Sequence, residues 1–288
     1  MVNRTLKICF LKADTLPYEA IKHHGEYEEV LQQLIKPLCN SSDVDVDLQI
    51  SKYDVVERQY PKNIGTYDAV IISGSFADSS IDDKMWVLRL CGFLIMLHDE
   101  YPHIRQIGIC FGMQVLARAF GPSKIVANPK GWEVGSTELK LTEVGKDLLN
   151  PDVTDKKDVL RLQQIHQDCV AAMPSQFELL ASSERTPIQG LAKYYDDDTP
   201  RGFTNAPDVI PEGKFGHVHI IGLQGHPEWS GSIILSLIKE YEREGIFSTE
   251  YANEVSEIAK KPTDALHIGR ALMKILGINT KKDDEKAI

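Results

Sequence analysis

Gln106-Ile107-Gly108-Ile109-Cys110-Phe111-Gly112-Met113-Gln114 runs from a short apolar segment through Gly-x-Cys-x-Gly into helical spacing. Met113, Leu116, Ala117 and Phe120 then share one helical face, and Gly121-Pro122 stops the helix. A strand that passes at once into a helix has to turn tightly. Flanking glycines remove the side chains that would collide in such a turn. The turn lifts its apex residue, Cys110, clear of the sheet. It also sets the sulfur near the first N–H groups of a helix, whose positive end favours a thiolate. An ordinary thiol is only a few per cent ionised near neutral pH, so this placement matters for reactivity. Alone, Gly-x-Cys-x-Gly fits a buried cysteine between packing glycines equally well.

Working outward, strands and helices alternate through the first half. Residues 6–11, 44–50, 67–72 and 106–109 read as strands, and 27–39, 82–100 and 111–120 as helices. That alternation predicts an α/β fold of three layers, with a mostly parallel central sheet covered on both faces. The second half is richer in strands, at 133–141, 159–164, 177–182, 188–194 and 217–224. Residues 196–213 open on Asp196-Asp197-Asp198 and hold three prolines and two glycines; they read as a long surface loop, with the aspartates a solvated turn rather than a metal site. Helices follow at 232–244, 250–260 and 263–276. The expected organisation is a domain over 1–235, a helical C-terminal extension over 236–280 packed on it, and a disordered, charged tail at 281–288.

Composition narrows the function classes. The 288 residues carry a net charge of −10, which repels phosphate backbones and argues against nucleic acid as a partner. No apolar run approaches the roughly 18 residues of a membrane span, and residues 1–10 do not read as a secretory signal. The five cysteines (Cys9, Cys39, Cys91, Cys110 and Cys169) include no CxxC pair. Reduced thiols in a cytoplasmic protein, with no metal and no cofactor, are expected. Apart from Cys110, they sit in or beside apolar runs and read as inert buried thiols.

A second stretch gives Cys110 a partner. The strand at 217–224 leads into Gly225-His226-Pro227-Glu228. A cysteine nucleophile needs a base within hydrogen-bond reach, and the base needs a group that fixes its tautomer. An imidazole at a strand end, with a carboxylate two residues on across a proline, meets both needs. Isolated His-Pro-Glu is more often a surface turn. With the cysteine elbow before it, the order Cys, His, Glu becomes specific.

These segments resemble class I, triad-type glutamine amidotransferases of the sort fused to synthetase domains in GMP synthetase, and the free-standing relatives that include plant γ-glutamyl peptidases. The resemblance rests on the residues 67–75, Gly108 to Gln114, Gly131-Trp132-Glu133-Val134-Gly135, His166-Gln167-Asp168 and Gly225 to Glu228, in the family's order. It implies a flavodoxin-like amidotransferase fold. It also implies a nucleophile at Cys110, a base at His226 and an orienting carboxylate at Glu228. The oxyanion would be held by backbone N–H groups of Ser75 and Phe111, and the substrate by Gln114, Trp132, His166 and Gln167. The family usually has Ser-Gly-Gly where this chain has Ser73-Gly74-Ser75; a glycine-only conformation at the third position would alter the oxyanion turn.

The resemblance implies a small-molecule γ-glutamyl substrate, either glutamine or a γ-glutamyl peptide. No Gly-x-x-x-x-Gly-Lys-Ser/Thr loop is present. A glutaminase-type enzyme would therefore pass ammonia to a separate ammonia-accepting synthetase. The alternatives are a γ-glutamyl peptidase acting on glutathione-like peptides, and a catalytically weak regulatory or binding protein with the same fold. A related group of cysteine hydrolases and chaperones with the same sheet is disfavoured, because its members generally lack the His-Pro-Glu turn.

Overall fold

A computed structural model describes residues 3–76, 78–121, 124–152, 156–197 and 199–280. In chain order these form β1 (Asn3–Lys12), α1 (Tyr18–His24), α2 (Tyr27–Asn40), β2 (Asp45–Asp54), β3 (Ala69–Ile72), α3 (Met85–Glu100), β4 (Arg105–Ile109), α4 (Phe111–Ala119), β5 (Ile125–Ala127) and β6 (Glu133–Leu141). They continue as α5 (Glu143–Leu149), β7 (Val159–His166), β8 (Asp168–Val170), β9 (Glu178–Ser182), β10 (Gly190–Tyr194), β11 (Val218–Leu223), α6 (Gly231–Arg243), α7 (Thr249–Ala259) and α8 (Ala265–Ile275). The expected tail at 281–288, together with Pro122 and Asp198, lies outside the described residues.

Nine strands make one sheet in the order β2-β1-β3-β4-β11-β10-β9-β6-β7. The first five are mutually parallel, and each later pairing is antiparallel. Among these nine strands, only β6 and β10 therefore run against the common direction. The expected three-layer α/β fold around a mostly parallel sheet is the fold observed. Side chains alternate across it as strand geometry requires. Ile8, Phe10, Ile71, Ile107 and Ile221 pack on the face covered by α2, α6 and α8. Cys9, Leu11, Val70, Ile72 and Ile220 pack on the opposite face, beneath α3 and α4.

Three points differ in detail from the expectations. Helices α1 and α5, of seven residues each, and the short β5–β8 pair were not foreseen, because segments this brief carry too few turns or alternations to show a period. Residues 196–213 are also more than a surface loop. Phe203 is buried there between the guanidinium groups of Arg4 and Arg105, at 4.2 and 4.1 Å from the ring centroid. Arg105 donates to the Arg201 carbonyl at 2.7 Å, and Arg4 to the Gly277 carbonyl at 2.6 Å. The loop thus closes one end of the sheet. The expected boundary at 235 falls inside α6.

Candidate active site

Cys110 lies between β4 and α4 with φ 53° and ψ −108°, one of two non-glycine residues at positive φ among the described residues. A side chain held in this region costs on the order of 1–3 kcal/mol, a strain that surrounding structure must sustain. The glycines on either side show how. A Cβ at Gly108 would come within 2.5 Å of the Gly112 backbone, and one at Gly112 within 2.5 Å of the Ile72 carbonyl oxygen. Only bare backbone lets α4 press this closely on β3 and β4. The Cys110 N–H donates to the Leu223 carbonyl at 2.8 Å, which ties the apex to β11.

Leu223 ends β11, and His226 follows three residues on. The His226 N–H donates to the Gln163 carbonyl of β7 at 2.9 Å. The ring is fully buried, with Nδ1 at 2.8 Å from Glu228 Oε1. Trp229 stacks on it with 3.6 Å between centroids and 8° between planes. Burial alone would pull the imidazole down. The charges of Glu228 and Cys110, and hydrogen bonding to both, outweigh burial and push it up to about 9. A methyl group at Gly74 would lie 2.9 Å from His226 Cε1, 3.7 Å from Nε2 and 3.6 Å from Cys110 Cβ. Cys110 Cβ and the imidazole therefore both approach the Gly74 backbone.

The turn carrying Gly74 is fixed from both ends. Ser73 Oγ accepts from the Ala13 N–H at 2.9 Å and donates to the Gly74 carbonyl at 2.8 Å. Asp14 accepts from the Phe76 N–H at 2.6 Å. Ser75, between them, does not take positive φ, so this position does not demand glycine. Phe111 opens α4, where the first helical N–H groups have no partner within the helix.

Cys110 is 4% exposed but lines a cavity of about 330 Å³. All the expected pocket residues line it with Cys110: Ser75, Phe111, Gln114, Trp132, His166 and Gln167. Their polar atoms are not equally free. Gln114 Oε1 accepts from Ser80 Oγ at 2.7 Å, while Nε2 donates to the Asp168 carbonyl and to Gln224 Oε1, both at 3.1 Å. His166 faces Glu133 across the β6–β7 pair, with Nε2 3.1 Å from Glu133 Oε2, and its Nδ1 meets the Asp168 carbonyl at 3.0 Å. Burial would raise the Glu133 carboxyl, but His166, Ser183 and Thr186 hold it below its ordinary range. Gln114 and His166 thus shape the wall with side chains already engaged elsewhere, whereas Gln167 is exposed at the rim. A larger cleft of about 780 Å³ lies behind Glu228, along α6 and α8, and Cys110 does not line it.

Several residues of the site escaped the sequence reading, among them Gln224, Trp229, Tyr241 and Ile246. Gln224 places Nε2 3.5 Å from Cys110 Sγ. Trp229 backs the imidazole. Tyr241 and Ile246, at and beyond the end of α6, line the cavity beside Trp132, whose ring meets that of Tyr241 at 5.5 Å. A polar residue closing the apolar run Ile220–Leu223, and an aromatic directly after His-Pro-Glu, were the available signals for the first two.

Comparison with known proteins finds a family model, sequence relatives and a shared fold. Residues 27–196 match the family model of glutamine amidotransferase class-I. A glutamine amidotransferase-like protein of Schizosaccharomyces pombe is 29% identical over 273 residues, covering 93% of this chain and 98% of that one. Gamma-glutamyl peptidase 4 of Arabidopsis thaliana is 27% identical over 251 residues, covering 85% and 84%. The crystal structure of a glutamine amidotransferase from Thermotoga maritima shares the fold with a TM-score of 0.61 at 16% identity, covering 94% of this chain and 96% of the other.

Proposed function

We propose that this chain, which belongs to the class-I glutamine amidotransferase family, is a cysteine-dependent hydrolase of γ-glutamyl amides. The observation that carries the reading is the convergence of a strained, cavity-lining Cys110 and a Glu228-tethered His226 on one point of the Gly74 backbone.

In this reading the thiol proton rests on His226 Nε2, and the imidazolium is stabilised by Glu228. Cys110 Sγ attacks the γ-carbonyl carbon, and the carbonyl oxygen becomes an oxyanion facing the N–H groups of Ser75 and Phe111. Loss of one such donor typically costs about a hundred- to a thousand-fold in rate. His226 then gives its proton to the departing nitrogen, the C–N bond breaks, and a γ-glutamyl thioester remains on Cys110. Water gives a proton to His226 and adds to the thioester carbon. Collapse of that second intermediate expels the thiolate and frees glutamate. Trp132, Gln114, His166 and Gln167 bound the space for the glutamyl chain. Tyr241, near the end of α6, and Ile246 beyond it complete that space.

Glutaminase action would supply ammonia to a separate synthetase. A second reading, γ-glutamyl peptidase, draws support from similarity to a protein of that name over 84% of its length. All five cysteines are free thiols, which fits a reducing, cytoplasmic setting. No described helix is long and apolar enough to cross a membrane.

Glutamate release from glutamine and from glutathione, measured side by side, tests both readings. Release from glutamine supports the glutaminase reading, and release from glutathione alone supports the peptidase. Cys110→Ser is expected to abolish turnover. Turnover that survives in Cys110→Ser refutes the nucleophile, and no release from any γ-glutamyl compound favours a binding or regulatory role.

A further inference from the structure

Gln224 makes a contact that the steps above leave unused. It is fully buried after the last residue of β11, and its Nε2 lies 3.5 Å from Cys110 Sγ. A carboxamide can present either end to a neighbour, so its direction has to be argued from its partners. Here one fixed point decides it. The main-chain carbonyl of Asp168 can only accept, so Gln114 turns its Nε2 toward it. That leaves Gln114 Oε1 to accept from Ser80 Oγ. The second Nε2 hydrogen of Gln114 goes to Gln224 Oε1. With its oxygen occupied, Gln224 presents N–H to the sulfur. Reversing Gln114 would face two acceptors at Asp168, and reversing Gln224 alone would face two donors. Either leaves buried polar groups unpaired, at a cost of roughly 1–3 kcal/mol each.

We propose that Gln224 is a catalytic residue whose side-chain N–H hydrogen-bonds the Cys110 thiolate, and that Gln114 and Ser80 are positioning residues that fix its direction. The proposal rests on Cys110 being the nucleophile. A hydrogen bond to an ionised acceptor is roughly twice as strong as one to a neutral acceptor. The contact therefore favours sulfur as an anion, both when the proton passes from Sγ to His226 and when the thioester collapses and sulfur departs. No proton leaves Gln224. Its role is electrostatic, and the helix start of α4 acts on the same sulfur in the same sense. Ser80, Gln114 and Gln224 are all buried, so water does not compete freely for these bonds.

The test reads the thiol directly. Iodoacetamide alkylation of Cys110 is followed by peptide mass spectrometry across pH, in parent and variant proteins whose folding is checked by circular dichroism. In Gln224→Met, which keeps bulk but loses the donor, the midpoint of alkylation is expected to move about one unit toward alkaline pH, roughly a tenfold loss of reactive thiolate below it. Gln224→Glu is expected to move it further. Ser80→Ala moves it the same way by less, and Ser80→Thr, which keeps the hydroxyl, restores it. An unmoved midpoint in folded Gln224→Met overturns the assignment, as it does in Ser80→Ala if the methionine variant does not fold. Alkylation requires no turnover, so a shifted midpoint in a protein that releases no glutamate would refute the hydrolase and with it the catalytic role of Gln224, leaving only its hydrogen bond to the Cys110 sulfur.

Discussion

Replacing Gly74 by alanine puts one methyl group against both the His226 ring and Cys110 Cβ. The backbone tolerates it, since Gly74 is not at positive φ. The side chains do not. The new carbon would lie 2.9 Å from His226 Cε1, against an optimum of about 3.5–4.0 Å for carbon pairs, so a shift of about 0.6–1 Å is required. His226 cannot easily provide it by tilting, because Trp229 stacks on the ring at 3.6 Å and Glu228 holds Nδ1 at 2.8 Å. Displacement of a catalytic group by about 1 Å costs on the order of a hundredfold in rate. Overpacking costs about 1–3 kcal/mol of stability, which still leaves a folded domain of ordinary stability. Gly74→Ala should therefore fold and lose about two orders of magnitude in kcat for glutamate release. A folded variant with kcat within about threefold of the parent would refute the placement of His226 against this turn.

Two pH effects follow from buried histidines. Glu228→Gln removes a negative charge that holds His226 up near 9, so the alkaline limb of the kcat–pH profile should move toward neutral pH; an unchanged limb would deny Glu228 that role. His219 is pushed down to about 2, first by burial and then by His98, Lys193, Arg105 and Arg201. An unfolded histidine takes up a proton near pH 6.5, whereas the folded one does not. Its contribution to stability is thus present above about pH 6.5 and is lost as pH falls below it. His219→Phe keeps the aromatic packing between His98 and Tyr195 and should extend the folded range to lower pH; identical acid-unfolding midpoints would contradict this.

The parts of the molecule that were legible in the sequence are those with a local signature. Strand and helix periods announced the layers, and Gly108, Gly112 and the His226-Pro227-Glu228 turn announced two local geometries within a few residues each. What stayed hidden depends on contacts between distant segments. The Ser80–Gln114–Gln224–Cys110 series joins a turn, a helix start and a strand end through contacts between residues up to 114 apart in sequence. Nothing in the composition of 196–213 marks Phe203 as the residue that two arginines clasp. Sequence could bring Gln114 and His166 to the pocket, but the engagement of their polar atoms with Ser80 and Glu133 depends on the folded register.

The position of β11 bears on how the chain assembles. All eight of its companions in the sheet are synthesised before it, yet it lies between β4 and β10 and joins two half-sheets of four strands. Until residues 218–223 emerge, each half presents a raw edge to the cell, and such edges invite mispairing with other chains. Insertion of a late keystone strand is a non-local event of the kind that slows folding. The same delay is protective: the sulfur meets its imidazole only after that strand has docked, so an unfinished chain carries no assembled nucleophile.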